Sequence, residues 1–179
     1  MQSPAVEAQA AGTRDVVINR VRISADTLTM LEQYFQTVIP SGRYWYDPLC
    51  GAWGMEGGPT AGFTIPNLPL GGSLPADISR GNTGVFINGR QLPPTDLAGL
   101  QRLTGPIAQG RYWLDSQGYA GMEGGPALVN LRALAAQQGL YRQGSGVGEN
   151  SGGASSYHNS RTGIGIITDG QGGAGIFTP

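Results

Sequence analysis

The sequence predicts an α+β protein: two pseudo-symmetric βαββ repeats sharing one core, then a helix and a Gly-rich C-terminal hairpin or tail. Three observations predict it. The words GRYW and MEGGP each occur twice, in the same order and at nearly the same spacing. Before each pair runs a short apolar stripe at helical spacing, itself preceded by a β-like segment. Finally, 31 of 179 residues are glycine, 12 are proline and only 13 % are charged, the composition of a turn-rich chain and not of a helical bundle or coiled coil.

The duplication relates residues 15–59 to 86–126. Val17-Ile18-Asn19 matches Phe86-Ile87-Asn88, Gly42-Arg43-Tyr44-Trp45 matches Gly110-Arg111-Tyr112-Trp113, and Met55–Pro59 matches Met122–Pro126. The offset drops between Asp47 and Met55, where PLCGA in copy one becomes the shorter SQGY in copy two. A length change inside a turn between two strands is what a hairpin tolerates best. One such unit would hardly bury enough apolar surface to be stable alone, which favours two packed together.

Within copy one, 15–23 reads as a strand from its run of β-branched residues. Ser24 offers an N-cap with Asp26 in the first turn, and Leu28, Leu31 and Phe35 form one helical face. In copy two, Pro93-Pro94 can open the helix, Thr95 and Asp96 supply capping oxygens, Leu97, Leu100 and Leu103 form the stripe, and Gly105-Pro106 stops it. Arg43–Asp47 and Arg111–Asp115 carry aromatics that favour strands, each returned by a turn to Glu56 or Glu123. Residues 60–85 read as an extended linker lying on the core, and 127–138 as a helix with Leu128, Leu131 and Leu134 on one face. At the ends, 1–14 reads as a flexible N-terminus and 141–179 as a Gly/Ser-rich linker leading to a C-terminal element. That element is either a two-strand hairpin around Asp169-Gly170 or a peptide that orders on binding.

Composition removes several function classes. No run of about 18 apolar residues exists, so no membrane span is expected. The first residues carry no basic start or apolar run, so no secretory signal is expected and the cytoplasm is the default location. All 11 basic residues are arginine, scattered among 12 acids, which argues against a nucleic-acid partner. One cysteine and one histidine leave no internal disulfide and no multi-histidine metal centre; no metal and no cofactor is expected.

Three blocks, GRYWYDPLCGAWGMEGGPTAGF at 42–63, LGGSLPADISRGNTGVFINGR at 70–90 and GRYWLDSQGYAGMEGG at 110–125, carry a family resemblance. In that order they resemble the segment preceding the Gα-like domain of plant extra-large G proteins, and small uncharacterised bacterial proteins sharing that segment. The resemblance covers roughly residues 16–126. In the plant family GTP binding belongs to the downstream Gα-like domain, and no G-x-x-x-x-G-K-[ST] loop occurs here. The resemblance therefore implies an accessory, protein-contacting role without turnover of a substrate.

Candidate residues follow. Cys50 with His158 could pair as nucleophile and base, but both fall in Pro/Gly or Gly/Ser segments and copy two has no matching cysteine, so no catalytic residue is expected. Asp47, Glu56, Asp115 and Glu123 could suggest paired-carboxylate chemistry; with Arg43 or Arg111 in each hairpin they read instead as structural ion pairs. Alternation along a strand sends Tyr44 and Tyr46 to one face and Trp45 to the other, so one face of each hairpin needs a second covering layer. Arg43, Trp45, Trp53, Arg111 and Trp113, with Ile164, Ile166, Ile176 and Phe177 of the tail, are the candidate partner-binding residues. The expected partner is another protein or a further copy of the chain as a homo-oligomer or filament; a carbohydrate stacked on the tryptophans is the alternative, and a small hydrolase the third reading.

Overall fold

A computed structural model of the chain describes residues 14–138, together with the backbone of 155–159, 164–168 and 174–177. The architecture is mixed α+β, with two five-stranded sheets and three helices among the described residues. No helix among them is long and apolar enough to cross a membrane.

The first half opens with β1 (Val16–Ile18) and β2 (Val21–Arg22), an antiparallel pair joined by Asn19-Arg20. Both turn residues have positive φ, 49° and 66°, the conformation a two-residue hairpin demands. The single strand expected over 15–23 is thus corrected to a hairpin. Helix α1 (Ala25–Phe35) follows, N-capped by Ser24, whose Oγ accepts from Thr27 N at 3.1 Å. Its buried Leu28 and Leu31 face the sheet. The helix is the crossover that lets β3 (Gly42–Tyr46) run parallel to β1, with Val17 opposite Arg43. Strands β4 (Ala52–Met55) and β5 (Gly62–Phe63) complete the sheet, in the order β2-β1-β3-β4-β5. Strand β5 lies within what reads as linker from the sequence.

The second half is built in the same order: β6 (Val85–Ile87), β7 (Arg90–Gln91), α2 (Pro94–Thr104), β8 (Gly110–Leu114), β9 (Tyr119–Met122) and β10 (Ala127–Asn130). Its sheet runs β7-β6-β8-β9-β10, again with the strand before the helix parallel to the strand after it. Helix α2 starts at Pro94 with Pro93 at the cap position and no side-chain cap, which corrects the capping role expected of Thr95 and Asp96; the Asp96 carboxylate bonds Thr60 instead. Residues 127–130 are strand, so the helix expected over 127–138 is shortened to α3 (Leu131–Gln137), capped by Asn130, whose Oδ1 accepts from Ala133 N at 2.9 Å.

Two clusters form the core. Val16, Ile18, Leu28 and Tyr46 pack under α1 with Tyr44, Trp53, Leu68 and Leu70. Trp45, Cys50, Ala52, Phe63 and Ile78 of the first half and linker join Leu114 and Leu131 of the second half in the larger cluster. Tyr46 ties the linker down: its hydroxyl donates to Ile65 O at 2.6 Å and accepts from Leu68 N at 3.0 Å. The C-terminal segment contributes β11 (Ser155–Asn159), β12 (Ile164–Thr168) and β13 (Ala174–Phe177), an antiparallel three-stranded sheet where a linker and a two-strand hairpin are expected.

Candidate interaction surface

Two hairpins, β3–β4 and β8–β9, are held by matching bonds. Tyr44 Oη donates to Pro40 O at 3.0 Å, and Tyr112 Oη to Ala108 O at 2.9 Å. Trp45 Nε1 donates to Gly58 O at 3.2 Å, and Trp113 Nε1 to Gly125 O at 3.0 Å. The cross-strand neighbour of each tryptophan must be glycine: a Cβ on Gly54 would stand 2.4 Å from Pro59 O, and one on Gly121 2.1 Å from Pro126 O, with the indole pressing on both. Asn19 clamps β3 by accepting from Tyr46 N at 2.9 Å and donating to Tyr46 O at 2.8 Å; Asn88 does the same to Leu114, at 3.0 and 2.8 Å.

What covers the tryptophan face separates the halves. Trp45 is 0 % exposed. The Arg90 guanidinium stands 4.0 Å from its ring centroid, itself only 5 % exposed. Arg90 Nη1 donates to Ser79 Oγ at 2.7 Å and to Asp96 Oδ2 at 2.9 Å, while Nη2 donates to Thr60 Oγ1 at 3.1 Å. Thr60 in turn donates to Asp96 through its N–H and hydroxyl, both at 2.9 Å. Charge, hydrogen-bond capacity and ring face are thus satisfied inside one buried network, the condition for placing an ion pair in a core. A further bond joins the halves: Asn88 Nδ2 donates to Asp47 Oδ2 at 2.8 Å. In these bonds the turn and helix start of the second half dock on the hairpin of the first.

Trp113 is only partly buried. The counterpart of Arg90 in the first half is Val21, 46 % exposed, and the counterpart of Thr60 in the second half is Ala127, also exposed. On the same face of the sheet as Trp113, Tyr119 (45 %) faces solvent, whereas Ala52, its counterpart, is buried. Asp115 accepts from Gln117 N at 2.8 Å and Tyr119 N at 2.9 Å, both through Oδ1.

The expected ion pairs divide accordingly. Arg43 Nε pairs with Glu56 Oε2 at 2.5 Å, and Arg111 Nε with Glu123 Oε2. Arg20 joins Glu56 at 3.3 Å, and the two guanidiniums, Arg43 foremost, hold the Glu56 carboxyl below its ordinary range. Among the described residues neither Asp47 nor Asp115 forms an ion pair with an arginine: four residues along a strand span about 13 Å, so neither reaches the arginine of its own strand, and each folds back onto its turn. Trp45 is a core residue and is corrected as a partner contact. Trp53 packs with Tyr46 on the opposite face of the sheet, so Trp45, Trp53 and Trp113 do not line one stacking surface.

The Cys50 thiol donates to Asp47 Oδ2 at 3.1 Å. Burial, then the Asp47 charge, pushes its pKa well above the ordinary thiol value, the opposite of what a nucleophile needs. His158 lies on β11 and Ile164, Ile166, Ile176 and Phe177 on β12 and β13, but their side chains lie outside the described residues. Sequence reasoning missed Arg90, Thr60 and Asp96. The signal for them was the mismatch between copies, an arginine aligned with valine, a threonine with alanine and an aspartate with Thr27.

Comparison with known proteins places the chain beside two large plant proteins. It is 40 % identical over 85 residues to extra-large guanine nucleotide-binding protein 1 of Arabidopsis thaliana, covering 46 % of this chain and 10 % of that protein. It is 31 % identical over 116 residues to extra-large guanine nucleotide-binding protein 2 of the same plant, covering 63 % of this chain and 13 % of that protein. The chain therefore spans about a tenth of the length of the relatives it matches. No family model matches it, and no solved structure does.

Proposed function

We propose that this chain is a non-enzymatic protein-interaction module, made of two copies of one ββαβββ unit, that self-associates. One observation carries the reading: a hairpin built twice with the same bonds has its tryptophan face buried by protein in one copy and partly open in the other. A face that a neighbouring unit covers in one half, and that stays partly open in the other, is a surface available for association. The match to a segment of two much larger proteins supports the same reading, since a module of this size serves there within a longer chain. The low-reactivity setting of Cys50 supports the absence of thiol chemistry. The test is mass in solution, by sedimentation or light scattering, for the full chain and for a chain ending at residue 143. A mass above one chain, dependent on concentration, is expected; a strict monomer at high concentration would overturn self-association.

A further inference from the structure

The internal contact between the halves is a worked example of what this kind of hairpin face binds. Its ligand is a two-residue turn, Asn88-Gly89, followed by Arg90: the amide reaches Asp47 Oδ2 and the guanidinium stacks on Trp45. Arg90 also donates to Thr60 Oγ1, whose counterpart is Ala127, but the two groups that receive the amide and the guanidinium face recur in the second half. Trp113 has the same Nε1 anchor and the same glycine opposite, and is partly open. Asp115 spends Oδ1 on its own turn, and among the described residues Oδ2 accepts no hydrogen bond. Tyr119 and Ala127 frame the same face of the sheet, since Trp113 lies opposite Gly121, which in turn lies opposite Ala127.

The first half of another chain does not present this ligand. Its own turn, Asn19-Arg20, is occupied: Asn19 Nδ2 donates to Gly72 O at 3.0 Å, Arg20 pairs with Glu56 and with Asp77 (2.9 Å), and Val21 stands where the stacking arginine would be. The linker at Gly71-Gly72 lies against this turn, close enough that a Cβ on Gly71 would sit 2.3 Å from Ile18 O. A second copy therefore cannot cover this face in the register of the internal contact, and self-association through it would need a different register.

From this we infer that the Trp113–Asp115 face is a recognition site for an Asn-x-Arg turn of a different protein, with the guanidinium on the Trp113 ring and the side-chain amide on Asp115 Oδ2. A cation over an indole face gains from the ring quadrupole, and an amide donated to a carboxylate forms a charge-assisted bond. The inference rests on the interaction-module reading but names a different occupant from self-association.

The probe is a fluorophore-labelled, backbone-cyclised hairpin carrying residues 84–92, titrated with the full chain and followed by anisotropy. Saturable binding is expected, weakened at least about tenfold by Trp113→Ala or Ala127→Arg in the chain and by alanine in place of arginine in the probe. Ala127 is exposed, so Ala127→Arg keeps the fold while filling the face, and an unchanged melting curve confirms it. No binding, or binding indifferent to Ala127→Arg and to loss of the probe's arginine, overturns the inference. Sedimentation of the unlabelled chain separates the two readings. Mass that falls on Ala127→Arg means a second copy covers the face, which refutes the turn-recognition site and leaves self-association standing. A monomer that binds the probe upholds the site and refutes self-association.

Discussion

Two hairpins with the same sequence words, the same indole anchor and the same asparagine clamp end in different surroundings. In the first half, Trp45 lies under Arg90 in a closed network of Asp96, Thr60 and Ser79; in the second, Trp113 is partly open on the face that also carries the exposed Tyr119. The bonds within each hairpin make the shape, and the residues arriving from elsewhere decide whether that shape is core or surface. The lesson is that a repeated motif fixes local geometry twice but fixes burial only where its neighbour supplies matching groups.

Mutation can break this contrast. The largest effect is expected for Trp45→Ala, which removes a fully buried indole and should cost about 3–5 kcal/mol in chemical denaturation; Trp113→Ala, partly buried, should cost less than half as much. Equal costs would erase the distinction between the faces. Next, Arg90→Ala leaves Asp96 buried without its cation and should destabilise by about 3 kcal/mol, whereas its counterpart Val21→Ala should stay within about 1 kcal/mol. Asn88→Ala severs both the clamp on Leu114 and the bond to Asp47, for about 2 kcal/mol by the same measurement.

Cys50 gives a pH signature confined to the first half. Its folded pKa is raised, so the fold favours the protonated thiol. Stability from this group is present below the unfolded thiol pKa of about 8.5 and is lost as pH rises from there toward the folded value. Melting temperature should fall in alkali more for the natural chain than for Cys50→Ala, and thiol-reactive dye should label the folded chain slowly. The smallest effect belongs to the surface pairs: Arg43→Ala or Arg111→Ala should each change stability by about 0–1 kcal/mol.

Much of this was legible in the sequence, and the misses have physical reasons. The two helices that follow the first strands and the aromatic strands could be read because their signals are local: a capping serine, a leucine stripe, a run of aromatics. The hairpin at the start of each half is harder to read: Asn88-Gly89 is a strong two-residue turn signal, but in the first half the same turn is Asn19-Arg20, where arginine hides the positive φ. Strand β5 is two residues long and has no periodicity to show. Asp96 reads as a helix-start acid from its position, and only tertiary contact with Thr60 gives it another task. Arg90 reads as a solvated strand residue for the same reason: a buried cation is visible only once the groups that satisfy it are assembled. The pairing of Arg43 with Glu56 could be read from the hairpin register, whereas a pairing with Asp47 on the same strand fails on distance.

The contrast between the two tryptophan faces is tested most directly by oxidative footprinting of the natural, folded chain, read residue by residue by mass spectrometry. Below the concentration at which the chain associates, Trp113 and Tyr119 should be modified much faster than Trp45, which stays protected until denaturant unfolds the domain. Comparable modification of Trp45 and Trp113 under native conditions would contradict the account.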